Sequence, residues 1–153
     1  MANLSFCVIN TPIGPMRLEA DGEGLTGLVF LDNGDPTEPD SPVLEEAARQ
    51  LAEYFRGARK VFDLPLRPIG TEFQLRVWQA LREIPFGETR TYGDIARRLG
   101  RPGAARAVGM ANHRNPLPVF IPCHRVVGAN GALTGYAGGL MRKRALLQLE
   151  RGE

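Results

Sequence analysis

"TYGDIARRLGRPGAARAVGMANHR", residues 91–114, decides how this chain is read. Thr91 with Asp94 three residues on marks a helix start, and Tyr92, Ile95, Ala96 and Leu99 then recur at helical spacing until Gly100. "RPGA" turns the chain into a further helix, Ala104 to about Arg114. Two short helices around a tight glycine turn predict a helix-turn-helix. In the second of them Ala104, Ala107, Val108 and Ala111 fall on one face, while Arg106, Gly109, Met110 and His113 gather opposite. That outer surface has a glycine near its middle and carries one arginine. It suits close approach to a narrow groove better than the reading of many base edges, and it suits equally well packing against another protein helix.

Upstream, Thr71 and Gln74 form a capping box, followed by an inward stripe of Phe73, Val77, Ala80, Leu81 and Ile84 and the turn Pro85-Phe86-Gly87. Further back, Ser5–Ile9, Met16–Ala20 and Leu25–Leu31 read as three strands separated by turn formers. Ser41 and Pro42 open a helix carrying Leu44, Ala47, Ala48, Leu51 and Phe55 on one face, up to Gly57. The prolines of residues 63–70 read as a linker. The expected fold is α/β of the α+β kind. An N-terminal α/β structural domain, residues 1–66, joins a β-meander to one helix; a mainly helical domain, residues 67–153, contains the helix-turn-helix.

Downstream, three prolines make "NPLPVFIPCHR", residues 115–125, a stiff extended run that delivers Cys123 to a fixed place. A cysteine in apolar surroundings is inert unless a cation or base stands near it. His124 is the neighbouring base, but adjacent strand residues point to opposite faces, so the pair cooperates only if the backbone turns or a water bridges them. A carboxylate would orient the imidazole. Glu150 is the candidate, in the last turn of a helix spanning Leu140 to Glu150, where a negative charge opposes the helix dipole. The glycine-rich stretch before that helix, with Gly135, Gly138 and Gly139 around Tyr136, lets backbone amides approach a planar ligand.

Of the 153 residues, 43% are hydrophobic and 24% charged, as in an ordinary globular protein. No apolar run is long enough for a bilayer, and the N-terminus lacks a signal-peptide pattern, so a cytoplasmic location is expected. Cys7 and Cys123 lie far apart and are read as free thiols. The charge is unevenly placed. Residues 1–67 carry 6 lysines and arginines against 11 acids, residues 68–153 carry 13 against 6, and the second half is the expected partner of a polyanion.

Residues 101–139, with the proline-cysteine-histidine-arginine motif at their centre, closely resemble the O6-alkylguanine-DNA alkyltransferases, also called methylated-DNA–protein-cysteine methyltransferases. The resemblance covers the chain from about Thr71 to Glu150, and the first half shares the layout. It implies a DNA repair protein that flips O6-alkylguanine out of the duplex and transfers the alkyl group irreversibly, once, to its own cysteine. By that similarity Cys123 is the acceptor, His124 its water-mediated base, Glu150 the partner of His124, and Asn115 fixes the turn before the cysteine segment. Arg106 matches an intercalating arginine and Tyr92 a residue that aids flipping and contacts the base, with Ala105, Gly109 and Met110 on the DNA side. Backbone groups of Cys123, Val126 and Ala137 would contact the guanine edge. Tyr136, Pro118 and Gly138 would line the pocket, and Lys143 would support it. Some family members have serine at Ala137 and methionine at Asn112. The implied partner is double-stranded DNA carrying O6-alkylguanine, with O4-alkylthymine as a second lesion, bound by a monomer that can load cooperatively. No cofactor, metal or membrane is implied. Two other readings are a helix-turn-helix protein that binds lesions without chemistry, and a cysteine hydrolase using Cys123, His124 and Glu150.

Overall fold

In the computed structural model, which describes residues 4–153, the chain divides between Ile69 and Gly70 into two compact units. The break lies beyond the expected boundary at 66/67 because the first part of the proline segment is laid on the sheet. The Leu25 N–H donates to the Pro65 carbonyl at 2.8 Å, and the Arg67 N–H donates to the Leu25 carbonyl at 2.7 Å. The Arg67 guanidinium also meets the Asp21 carboxylate at 2.9 Å. Gly24 permits this approach, since a Cβ there would stand 2.5 Å from the Pro65 oxygen.

In the first unit, β1 (Ser5–Ile9), β2 (Met16–Ala20) and β3 (Leu25–Phe30) form an antiparallel meander in that order. Alternation along β2 buries Met16, Leu18 and Ala20 and turns Arg17 and Glu19 outward. Against β1 and β2 packs α1 (Pro42–Phe55), which buries Leu44, Ala47, Leu51 and Tyr54. It starts where the sequence places it. The Ser41 hydroxyl accepts from the Leu44 N–H, and Pro42 fills a first-turn position where no N–H is needed. Gln50, polar and buried, is satisfied by a two-way clamp on the Asp63 backbone at 2.9 and 3.0 Å.

The second unit contains α2 (Glu72–Arg82), β4 (Arg90–Thr91), α3 (Tyr92–Arg98), α4 (Ala105–His113), β5 (Val126–Val127) and α5 (Leu140–Arg151). Both capping boxes form, Thr71 with Gln74 and Thr91 with Asp94. Gly100, at φ 74, ends α3, and the turn to α4 completes the helix-turn-helix. β4 and β5 are two-residue strands paired in parallel, a contact too short to leave a periodic signal in the sequence. Among the described residues no helix is long and apolar enough to cross a membrane.

The inner face of α4 differs from the expected one. Val108, Ala111 and Asn112 are buried, whereas Ala107 is exposed. The buried arc is centred near Val108 and Asn112, which leaves Ala107 on its shoulder, and the apolar count missed Asn112 because it is polar. Trp78 of α2 anchors this face by donating from Nε1 to the Ala111 carbonyl at 2.8 Å. The fixed indole leaves no space at Gly70, where a Cβ would stand 2.5 Å from Cη2 and 2.6 Å from Cζ3. Gly70→Ala is therefore expected to destabilise this unit by about 1–3 kcal/mol. Urea unfolding followed by fluorescence of the single tryptophan checks it; an unchanged midpoint would mean that the indole yields.

Candidate active site

Asn115 organises the segment that carries the cysteine. Its Oδ1 accepts from the Leu117 N–H at 2.9 Å and its Nδ2 donates to the Ile121 carbonyl at 2.8 Å. The Ile121 N–H returns to the Leu117 carbonyl at 2.8 Å. The expected extended run is thus a compact loop, closed by side-chain and backbone bonds that proline spacing does not announce. Val119 near its apex is buried at φ 74, a left-handed conformation rarely taken by a β-branched residue. The chain then enters a 3₁₀ turn, Cys123–Arg125, so Cys123 and His124 do not alternate as on a strand.

Cys123, His124 and Arg125 are all buried. His124 Nε2 lies 2.8 Å from Glu150 Oε2. Arg125 straddles the same carboxylate, donating from Nε to Oε1 at 2.8 Å and from one terminal nitrogen to Oε2 at 2.9 Å, while its other terminal nitrogen donates to the Ile84 carbonyl at 2.6 Å. Burial alone would raise the Glu150 pKa, but the bonds from His124 and Arg125 outweigh it and hold the carboxyl well below the usual range. An ionised carboxylate only accepts, so His124 carries its proton on Nε2. Nδ1 is then a bare acceptor. It is buried and has no hydrogen-bond partner among the described residues. Burial also lowers the His124 pKa against the opposing pull of Glu150, which keeps the imidazole neutral and basic near pH 7.

Burial pushes the Cys123 thiol up to about 11, opposed by hydrogen bonds from Asn115 and Tyr136 and by the charge of Lys143. Lys143 is fully buried. Its ammonium donates to the Val126 carbonyl at 2.7 Å and reaches the Thr134 carbonyl at 3.3 Å. Asn112 Nδ2 donates to the Cys123 carbonyl at 3.4 Å. Pro118, Val126 and Tyr136 are buried, Gly138 is half-buried and Ala137 is exposed. On α4, Arg106 and Met110 are exposed, and Ala105 and Gly109 are half-buried. A shallow groove lies along Arg106, Gly109, Met110 and His113. Tyr92, at the start of α3, reaches the Thr134 hydroxyl with its own at 2.5 Å.

Sequence reasoning missed Arg125. The charge of a buried Glu150 could have pointed to it, because a carboxylate at a helix C-terminus needs a cation, and the arginine nearest the reactive pair is the obvious donor. Thr134 left no signal beyond its place in a glycine-rich loop.

Fold and site together give a helix-turn-helix unit with a buried cysteine, a neutral histidine and an ionised glutamate behind it. Two family models match, the 6-O-methylguanine DNA methyltransferase ribonuclease-like domain over residues 5–68 and the DNA binding domain of the same methyltransferase over residues 72–152. The chain belongs to the 6-O-methylguanine DNA methyltransferase family. It is 54% identical to a methylated-DNA–protein-cysteine methyltransferase of Methanosarcina acetivorans, over 95% of this chain and 97% of that one. It is 50% identical to one of Mycobacterium bovis, over 97% and 93%. Among solved structures it is similar to the Mycobacterium tuberculosis O6-methylguanine methyltransferase, at a TM-score of 0.88, 49% identity and coverage of 98% and 94%. It is likewise similar to Mycobacterium tuberculosis OGT in complex with DNA, at a TM-score of 0.87, 52% identity and coverage of 95% and 91%. The enzymatic class of the chain is that of these relatives, methylated-DNA–protein-cysteine methyltransferase.

Proposed function

We propose that this protein repairs duplex DNA by taking the alkyl group of O6-alkylguanine onto Cys123, once per molecule. The observation that carries the proposal is the bare Nδ1 of His124, left as the acceptor by an ionised Glu150 beside a buried thiol. The thiol proton passes to Nδ1, directly or through a water, and the thiolate attacks the alkyl carbon. The carbon–sulfur bond forms as the carbon–oxygen bond breaks, and the departing guanine takes up the proton held by the imidazole. Asn115 holds the loop that aims Cys123, and Lys143 lends positive charge to the thiolate.

Duplex binding is supported by a relative crystallised with DNA and by the basic excess of residues 68–153. In this reading Arg106 takes the place of the flipped nucleotide and Tyr92 meets the flipped base, with Ala105, Gly109 and Met110 against the groove. The lesion sits among Pro118, Val126, Tyr136, Ala137 and Gly138, where O4-alkylthymine would present the same carbon to the sulfur. The helix-turn-helix unit is the DNA-binding and acceptor domain, and the meander unit is structural.

Intact-mass measurement after mixing with excess O6-methylguanine duplex tests the reading. One methyl group per chain is expected, on the peptide containing Cys123. The product is a thioether, which offers water no carbonyl to attack, so uptake stops there. Uptake beyond one group, or none, would sink it.

A further inference from the structure

Thr134 is used nowhere in the proposed transfer, yet it touches two groups that are. Its hydroxyl lies 2.5 Å from that of Tyr92. Lys143 Nζ approaches the same hydroxyl at 3.4 Å and the Thr134 carbonyl at 3.3 Å, while donating to Val126 at 2.7 Å. The Tyr92 ring lies against α4, where a Cβ on Gly109 would stand 3.7 Å from Cδ1 and Cε1. The phenol is therefore held along its edge by the helix and at its tip by the loop between β5 and α5. Thr134 is itself well placed, because its methyl group presses on the chain at Gly128, where a Cβ would stand 3.0 Å away. The Gly128 N–H closes that loop onto the Ala132 carbonyl at 2.8 Å.

We propose that Thr134 is a positioning residue, which aims the Tyr92 hydroxyl at the incoming nucleotide under the direction of Lys143. An ammonium has only donors, so Lys143 occupies an acceptor site of the Thr134 oxygen. Either hydroxyl can donate across the 2.5 Å contact; when the Thr134 proton goes to the Tyr92 oxygen, the phenolic proton points away from Thr134. Each hydrogen is used once. In that arrangement the chain links a buried positive charge to a free phenolic donor, and the bonds polarise one another along it. The inference rests on the proposed function in one respect, that Tyr92 meets the flipped base. Thr134 does not touch the reacting atoms, so its effect runs through Tyr92.

Thr134→Val keeps the β-branch and the volume and removes the hydroxyl, whereas Thr134→Ser keeps the hydroxyl. With an O6-methylguanine duplex the valine variant is expected to transfer about tenfold more slowly, the loss of one hydrogen bond, and the serine variant within about twofold of wild type. Tyr92→Phe combined with Thr134→Val should be no slower than Tyr92→Phe alone, because both remove the same bond. In protein carrying 13C at the tyrosine ζ carbon, the Tyr92 resonance should move in the valine variant and stay in the serine variant. That resonance is read in the free folded protein, below the melting temperature of every variant, so a less stable valine chain still reports. Valine at the wild-type rate, a double-variant loss equal to the product of the single losses, or an unmoved resonance overturns this inference alone. A wild-type chain that takes up no methyl group overturns the proposed function and this inference with it.

Discussion

A Cys123→Ser chain is expected to take up no methyl group from O6-methylguanine DNA within the detection of intact mass, while binding the duplex as the wild type does. The replacement is nearly the same size in a fully packed turn, so the fold has little reason to change. A serine hydroxyl, however, is far harder to ionise than a thiol, and His124 near neutrality cannot take its proton to a useful extent. In the proposed reading DNA is held by the arginine-bearing helices, which the substitution leaves untouched. Cys7 does not substitute: it is buried in β1, and burial with the nearby charge of Asp40 raises its pKa to about 11 with no histidine in its unit to remove the proton. Methyl uptake by the serine chain, or loss of duplex binding in it, would refute the assignment of roles.

The second large effect is expected at Glu150. Glu150→Gln keeps the shape but leaves the Arg125 guanidinium buried without its counter-charge, which costs about 3–5 kcal/mol. It also removes the constraint on the imidazole, because a carboxamide can donate to Nε2 and put the proton on Nδ1, the wrong nitrogen. Transfer should fall about 10²–10⁴-fold, the usual size of a lost general base. The pH dependence separates the two effects. The Glu150 and His124 pKa values are both lowered in the folded protein, so each contributes stability at neutral pH that is lost on acidification, His124 below its ordinary 6.5 and Glu150 below its ordinary 4.5. The glutamine chain should be weaker at pH 7 and flatter below pH 4.5. Adding Arg125→Met should recover part of the stability and none of the transfer. Equal acid profiles for wild type and Glu150→Gln would show that the carboxylate is not held ionised by these partners.

What the sequence made legible is local. Ser41 with Pro42, Thr71 with Gln74 and Thr91 with Asp94 are helix starts written within four residues, and each forms as read. The strand alternation of β2 is equally local. The features that escaped need partners far along the chain. Arg125 finds Glu150 across 25 residues and the Ile84 carbonyl across 41, and no spacing rule predicts either. The loop at Asn115 hides because its closing bonds come from one side chain inside a proline-rich string. The strip at Pro65 and Arg67 reads as linker because its pairing partner, Leu25, lies in a different part of the sequence. The need for a carboxylate beside His124 pointed to Glu150, and family resemblance named Lys143; their surroundings explain how charges can be held there. Asn112 could not have been placed inside α4 by apolar counting, since its polar amide reaches the Cys123 carbonyl.

The burial of Cys123 bears on how long an unused molecule lasts. Burial raises the thiol pKa and so keeps the sulfur protonated at pH 7, and that sulfur is nearly closed to solvent. Peroxides, disulfides and soluble alkylating agents react with thiolates that they can reach. Under the proposed single transfer there is no second turnover in which to make good a chance encounter, so every such event would remove a whole molecule from the working pool. The enclosure that slows ionisation is thus also a shelf-life: the sulfur waits inert, and its proton leaves when a base and an electrophile meet it inside the fold.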